Sequence, residues 1–300
     1  MTKVAFIGLG HMGSGMAANL AKAGHQVLAY DLVSAAVEMA KEAGCLAASS
    51  AGEAAGKAEA VVTMLPAASH VRAVWEGEIL PAARPGTLLI DCSTIDVETA
   101  RSVSALATER GFQAADAPVS GGIMAAEAGT LAFMAGCEEG VFDQVEAVLA
   151  PMARTVIHAG GPGAGQAAKI CNNMILGVSM LGVCEAFALA EKLGLEPERF
   201  FEIAAKSSGQ CWSLTSYCPW PGPVPSAPSN RNYEGGFLAS LMLKDLKLAQ
   251  EAAAKAGAAT PMGAQAEALY ALFERLGHGG KDFSAVLQLM RGAIAELGGD

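Results

Sequence analysis

The first 31 residues constrain the fold of this chain more than any other segment. Residues 4–7 form a short apolar, β-prone run, and Gly8-Leu9-Gly10-His11-Met12-Gly13 follows at once. Good helix formers occupy residues 16–23, residues 27–30 are apolar again, and Asp31 closes the pattern. This order predicts a strand, a tight turn, a helix, a second strand and a terminal carboxylate. Gly8 then permits the turn, Gly10 lets the backbone approach a pyrophosphate with no Cβ in the way, and Gly13 lets the helix pack close to its strand. The amino end of that helix offers amide N–H groups and partial positive charge to the phosphates. Leu9, His11 and Met12 complete the loop, with His11 expected as a phosphate neighbour or exposed rather than as a base.

A glycine pattern by itself is weak evidence; here the flanks give it weight. Asp31 lies 18 residues beyond Gly13, where a carboxylate accepts hydrogen bonds from the adenosine ribose hydroxyls. A 2′-phosphate there would be repelled, and Leu32-Val33-Ser34 contains no Arg or Lys to offset the repulsion. The expected cofactor is therefore NAD rather than NADP.

A chain of 300 residues is too long for one typical core and fits two domains. With 52% hydrophobic and 17% charged residues it reads as an ordered globule, and with 6% aromatics its core is aliphatic. The net charge of −10 argues against nucleic acid or an anionic membrane surface as partner, because phosphates are bound mainly through Lys and Arg. No uninterrupted apolar run approaches the ~20 residues of a membrane span. The seven cysteines include no C-x-x-C pair and read as reduced thiols. No leader-like segment precedes the first strand, so a cytoplasmic location is expected. None of the histidines shows metal-ligand spacing, and no metal is expected.

Strand-like runs recur at residues 60–65, 87–90, 112–115, 131–135 and 155–158, alternating with helix-prone stretches such as 69–75, 97–110 and 138–149. The alternation predicts an α/β, doubly wound Rossmann domain over residues 1–163, ending at Gly160-Gly161-Pro162-Gly163. Residues 164–193 contain no proline and would span roughly 45 Å as one helix at ~1.5 Å per residue, a length suited to joining two domains. Helical stretches at 197–206, 238–256, 263–275 and 283–295 make residues 164–300 an all-α domain, with Asp282 capping the last helix. Residues 218–236, rich in Pro, Ser, Gly and Asn, read as a long ordered loop or a lid.

Three clusters carry the chemistry. Ser120-Gly121-Gly122 follows a strand, where a hydroxyl and unobstructed amides suit a substrate carboxylate, although a glycine turn that only changes direction fits equally. Lys169 and Asn173, four apart near the start of the long helix, share a face that also holds Gln166. In an alanine-rich surround desolvation disfavours the lysine's charge, which suits proton exchange with an alcohol; an ordinary solvated lysine is the bland alternative. Lys244-Asp245 interrupts a strongly apolar helix, so one of the two reaches into a crevice or both join buried ion pairs. Trp212 and Tyr217 wall a pocket or staple the proline-rich loop.

Taken together, the segments G-L-G-H-M-G-S-G-M-A-A-N-L-A-K-A-G-H, D-A-P-V-S-G-G, G-x-G-Q-x-x-K-x-x-N-N from Gly163 to Asn173, and K-D-L at Lys244 resemble the β-hydroxyacid dehydrogenase family over essentially the whole chain. The resemblance implies that Ser120, Gly121 and Gly122 hold a substrate carboxylate, that Lys169 is the acid/base, and that Asn173 orients the reacting oxygen. It also implies that Leu65-Pro66 and Thr94 line the cofactor and that Lys244 contacts its nicotinamide half, with Asp245 close by; Asp245, Trp212 and Tyr217 are expected as substrate-side residues. Residues 207–213 resemble the hydroxyisobutyrate branch, although Gln210 stands where that branch usually has Arg. The implied reaction is NAD-dependent oxidation of a small-molecule 3-hydroxy acid. L-serine, 3-hydroxypropionate and tartronate semialdehyde are alternative substrates, and a non-catalytic dinucleotide-binding module is the alternative of a different class. Association as a homodimer or homotetramer through the all-α domain is expected.

Overall fold

The computed structural model describes residues 1–297. The chain divides into two compact units, one ending at Lys169 and one beginning at Ile170.

In the first unit, strands β1 (Lys3–Ile7), β2 (Gln26–Tyr30), β3 (Leu46–Ala47), β4 (Ala60–Thr63), β5 (Leu88–Asp91) and β6 (Gln113–Asp116) form a parallel sheet in the order β3-β2-β1-β4-β5-β6. Helices α1 (Gly13–Lys22), α2 (Ser34–Glu42), α3 (Ala51–Lys57), α4 (Ala68–Val74), α5 (Leu80–Ala82) and α6 (Val97–Glu109) lie between successive strands. A parallel sheet needs both faces covered, and the strand residues divide accordingly. Val4, Phe6, Val62 and Ile90 join a core with Met16 and Leu20 of α1, while Ala5, Ile7, Val61 and Leu89 join a second core with Val71, Trp75 and Ile79.

The strand order reverses between β1 and β4, so the loops after their carboxyl ends part and leave the crevice where open α/β sheets bind ligands. Gly8, at φ +96°, turns out of β1, and a Cβ on Gly13 would strike the Gly8 carbonyl. Only glycine lets α1 begin that close to its strand.

The far edge departs from simple alternation. β7 (Val119–Ser120) and β8 (Leu131–Gly136) are antiparallel to each other, α7 (Gly122–Ala128) connects them, and β9 (Ala153–Gly160) returns parallel to β8 after α8 (Phe142–Leu149). β6 meets β8 antiparallel through the single pair Asp116 and Gly136.

Helix α9 (Ala164–Lys192) leads into the second unit, followed by α10 (Pro197–Ala204), α11 (Trp212–Thr215), α12 (Ala239–Ala256), α13 (Pro261–Phe273) and α14 (Val286–Arg291). No strand occurs in this unit among the described residues. Its core joins Met180, Cys184 and Phe187 of α9 to Met242, Leu243 and Leu246 of α12, Tyr270 and Phe273 of α13, and Val286 and Leu287 of α14. Phe283 precedes α14 in a 3-10 turn, with the Asp282 side chain accepting from the Ser284 N–H as expected of a cap.

Helix α9 contains no uninterrupted apolar run as long as a membrane span, yet by length and composition it is apolar enough to cross a membrane. Gln166, Lys169, Asn172 and Asn173 break the run without lowering its average enough. Half of its most apolar window is buried inside the protein.

Residues 218–236 contain a single 3-10 turn, Pro228–Arg231, yet they are pinned throughout. Ser229 Oγ donates to the Cys218 carbonyl at 2.8 Å and the Tyr233 hydroxyl to the Pro219 carbonyl at 2.9 Å. The Asn230 side chain accepts from Gly222 N–H and donates to the Val224 carbonyl, each at 2.8 Å.

Candidate active site

In the sheet unit the glycine loop and Asp31 close on each other. Asp31 Oδ2 accepts from the Leu9 N–H at 2.6 Å and Oδ1 from the Val33 N–H at 2.8 Å, so the carboxylate is fixed at the end of β2. Leu9 contributes this backbone group, while its side chain is buried in the core; His11 is exposed, and Met12 packs partly against the core. A Cβ on Gly10 would meet nothing within 4 Å, and α1 begins without a side-chain cap. Open space over an uncapped helix start, beside a strand-end carboxylate, fits a dinucleotide's pyrophosphate and ribose. Leu32 and Val33 are exposed, and no cation lies in that segment to meet a 2′-phosphate.

The neighbouring loops rest on a buried polar network that sequence reasoning missed. Asp91 Oδ1, at the end of β5, accepts from Thr63 Oγ1 at 2.7 Å and Ser93 Oγ at 2.6 Å. Ser93 Oγ in turn accepts from the Leu65 N–H at 2.8 Å, which sets the Leu65-Pro66 segment. The Asp91 Oδ2 atom is buried with no hydrogen-bond partner. Burial pushes the Asp91 carboxyl up to about 6, against the hydrogen bonds from Ser93 and Thr63 and with a smaller contribution from the charge of Asp116. Burial also raises Asp116, opposed by the backbone N–H groups of Gln166, Gly163 and Gly165. A carboxylate ending each of two adjacent apolar strands was the available signal.

Thr94, half-buried, lies between Ser93 and Ile95, and both of those backbones are held by Gln166. Sequence reading placed Gln166 on the face of Lys169; the structure uses it as a tether. Ser120 ends β7, and Gly121 (φ +136°) and Gly122 (φ +71°) turn into α7 with no side-chain cap. The expected carboxylate-holding residues thus sit at the start of a helix, with Gly121 and Gly122 exposed.

Lys169 stands in the second turn of α9 and is 8% exposed; Asn173, one turn further on, is 2% exposed. In the helical unit the Asn173 Nδ2 donates to Asp245 Oδ2 at 2.5 Å across 72 residues of sequence, and Asn172 Nδ2 donates to Asn173 Oδ1 at 3.0 Å. Lys244 Nζ lies 3.8 Å from Asp245 Oδ1, an oxygen without a hydrogen-bond partner. Trp212 and Tyr217 stack at 4.9 Å, and the Tyr217 hydroxyl donates to buried Asp282 at 2.7 Å. Burial first, then the charge of Asp282, pushes that phenol well above its ordinary range. Tyr217 therefore staples residues 218–236, while Trp212 keeps about half its surface exposed.

A parallel sheet reversing beside a glycine loop, with a buried lysine and asparagine on the helix that follows, defines an NAD(P)-dependent oxidoreductase. Residues 3–161 match the NAD binding domain of 6-phosphogluconate dehydrogenase, and residues 163–290 match the NAD-binding domain of NADP-dependent 3-hydroxyisobutyrate dehydrogenase. The chain belongs to the β-hydroxyacid dehydrogenase family, which includes 3-hydroxyisobutyrate and L-serine dehydrogenases, and acts on a CH–OH group. It is 48% identical to the 3-hydroxyisobutyrate dehydrogenase of Pseudomonas aeruginosa, covering 97% of this chain and 99% of that one. It is 47% identical to the NAD-dependent L-serine dehydrogenase of the same organism, covering 96% and 98%. The structure of Mycobacterium tuberculosis 3-hydroxyisobutyrate dehydrogenase with L-serine superposes with a TM-score of 0.94 at 48% identity, covering 97% of this chain and 99% of that one.

Proposed function

We propose that this enzyme oxidises 3-hydroxyisobutyrate to methylmalonate semialdehyde with NAD, a step of valine catabolism. The observation that carries the reading is the buried pair Lys169 and Asn173 on one face of α9, with Asn173 oriented by Asp245. Bound NAD supplies the hydride acceptor. The Ser120-Gly121-Gly122 turn holds the substrate carboxylate through its hydroxyl and amides. The neutral Lys169 amine takes the hydroxyl proton in oxidation, becoming the ammonium, and the ammonium returns it in reduction. Asn173 orients the reacting oxygen, because its amide is already held by Asp245 on one side and Asn172 on the other. Asp31, with no cation in the following segment, favours NAD over NADP.

L-serine is the second reading, supported by the serine dehydrogenase at 47% identity and by the relative's structure with L-serine. It would keep every residue above, since serine also bears a hydroxyl one carbon from the carbon carrying its carboxylate. Initial rates with 3-hydroxyisobutyrate, L-serine and 3-hydroxypropionate, each with NAD and NADP, decide between them. The highest kcat/KM is expected for 3-hydroxyisobutyrate with NAD, and a higher value for L-serine would replace the first reading. We also propose association as a homodimer or homotetramer through the helical unit, which leaves Ile175 and Leu189 exposed on α9 and Leu193 exposed just beyond it. A stable monomer in sedimentation would contradict this.

A further inference from the structure

The amino end of α9 is seated by residues that no motif role accounts for. A helix start leaves N–H groups without intrahelical partners, usually satisfied by a nearby Ser, Thr or Asp. Here the partner comes from the end of β6: Asp116 Oδ1 accepts from the Gly163 N–H at 2.6 Å and Oδ2 from the Gln166 N–H at 2.8 Å. Gly165 lies so close that a Cβ would strike the Met134 carbonyl and meet the Asp116 carboxylate at 2.8 Å. The Gln166 side chain, 0% exposed, then reaches the other way. Its amide nitrogen donates to the Ser93 carbonyl at 2.7 Å and its oxygen accepts from the Ile95 N–H at 3.1 Å, bracketing Thr94.

We infer that Asp116 and Gln166 form a positioning clamp, which fixes the height and rotation of the first turns of α9 against the segment carrying Thr94 and so sets Lys169 for proton transfer. The inference rests on the acid/base role given to Lys169. Lys169 is three residues beyond Gln166, less than one turn, so the clamp fixes the helical backbone from which the lysine side chain extends. A slip of one residue in helix register would carry Lys169 ~1.5 Å along the axis and turn it by ~100°. Misplacement of about 1 Å is enough to cost on the order of 100-fold in rate.

The test compares Gln166→Met, which keeps the side chain's length and removes both hydrogen bonds, with Asp116→Asn, which keeps the shape and one acceptor. Both are measured alongside Lys169→Ala. In folded Gln166→Met, kcat should fall about 10- to 100-fold while the KM for the hydroxy acid changes less than about threefold. The deuterium isotope effect on the transferred hydrogen should rise, because misaligned chemistry becomes rate-limiting. Asp116→Asn should shift kcat and the isotope effect in the same direction by a smaller factor, and it serves as the reading if the Gln166 variant does not fold. A merely structural role would lower melting temperature and yield but leave kcat per folded site and the isotope effect unchanged; that result would overturn the clamp. If Lys169→Ala loses turnover while both clamp variants keep wild-type kinetics, the clamp alone falls. If Lys169→Ala retains turnover, the lysine reading and the clamp fall together.

Discussion

Asp116 in the sheet unit and Asp282 in the helical unit are both buried, and each accepts hydrogen bonds from backbone N–H groups distant in sequence. Asp116 closes a parallel strand, where the sheet delivers every such end to one edge, so its carboxylate only has to seat a helix already brought there. Asp282 has no sheet to rely on. It gathers Tyr217, Phe237 and Ser284 at 2.5–2.9 Å and so ties the exit of the proline-rich loop to the start of the last helical segment. Parallel strands assemble a ligand edge by geometry, whereas a helical unit with a long loop needs a polar hub to hold it. Asp116 should thus act chiefly on chemistry and Asp282 on stability, while Asp91, buried with one oxygen unpartnered, is the sheet-unit carboxylate that bears on stability as well.

Lys169→Ala separates the two most sharply: turnover should fall by roughly 100- to 10,000-fold with little change in melting temperature. Steady-state kinetics with circular dichroism checks it, and a comparable loss of fold would blur the distinction. Asp282→Ala should do the reverse, costing about 3 kcal/mol or more in denaturant unfolding, since it orphans several buried donors at once. Unchanged stability would mean that the hub is dispensable.

Asp91 tests the same contrast through pH. Its native carboxyl titrates at about 6 against an ordinary 3.8, so between these values the folded state holds a proton that the unfolded chain releases. Stability therefore falls as pH rises through that window and levels off above it, by an amount on the order of 3 kcal/mol. Asp91→Asn should flatten this slope in unfolding curves at pH 4.5, 5.5 and 6.5; a slope equal to wild type would show that Asp91 is not its source. The smallest expected effect is that of Asp31→Ala, which should raise the KM for NAD about tenfold and narrow the preference over NADP. An unchanged cofactor ratio would detach Asp31 from ribose recognition.

Much of the sheet unit was legible because its signals are local. The strand runs at 60–65, 87–90, 112–115, 131–135 and 155–158 each coincide with an observed strand; the runs in β4 and β5 are plainest because a strand buried on both faces must be apolar along its own length. The antiparallel turn of β7 and β8 was not legible, because two residues of strand at Val119–Ser120 carry no periodicity to read. The roles of Gln166, Asp91 and Asp282 were hidden for another reason. Their partners lie at the far ends of other elements, and nothing in the spacing of Gln166 from Ser93 marks the pair.

The order of residues alone marked the dinucleotide unit, because Gly8, Gly10 and Gly13 act through backbone geometry that each imposes within a few residues of itself, and Asp31 ends the strand that follows them. It also settled that Lys169 and Asn173 share a helix face, as helical period requires. Only the folded chain decided that Asn173 meets Asp245 across 72 residues, that Asp116 accepts from Gly163, 47 residues on, at the threshold of α9, and that Gln166 grips the backbone around Thr94. Those contacts depend on which strand ends and helices become neighbours, and that follows from sheet order and core packing rather than from any local pattern.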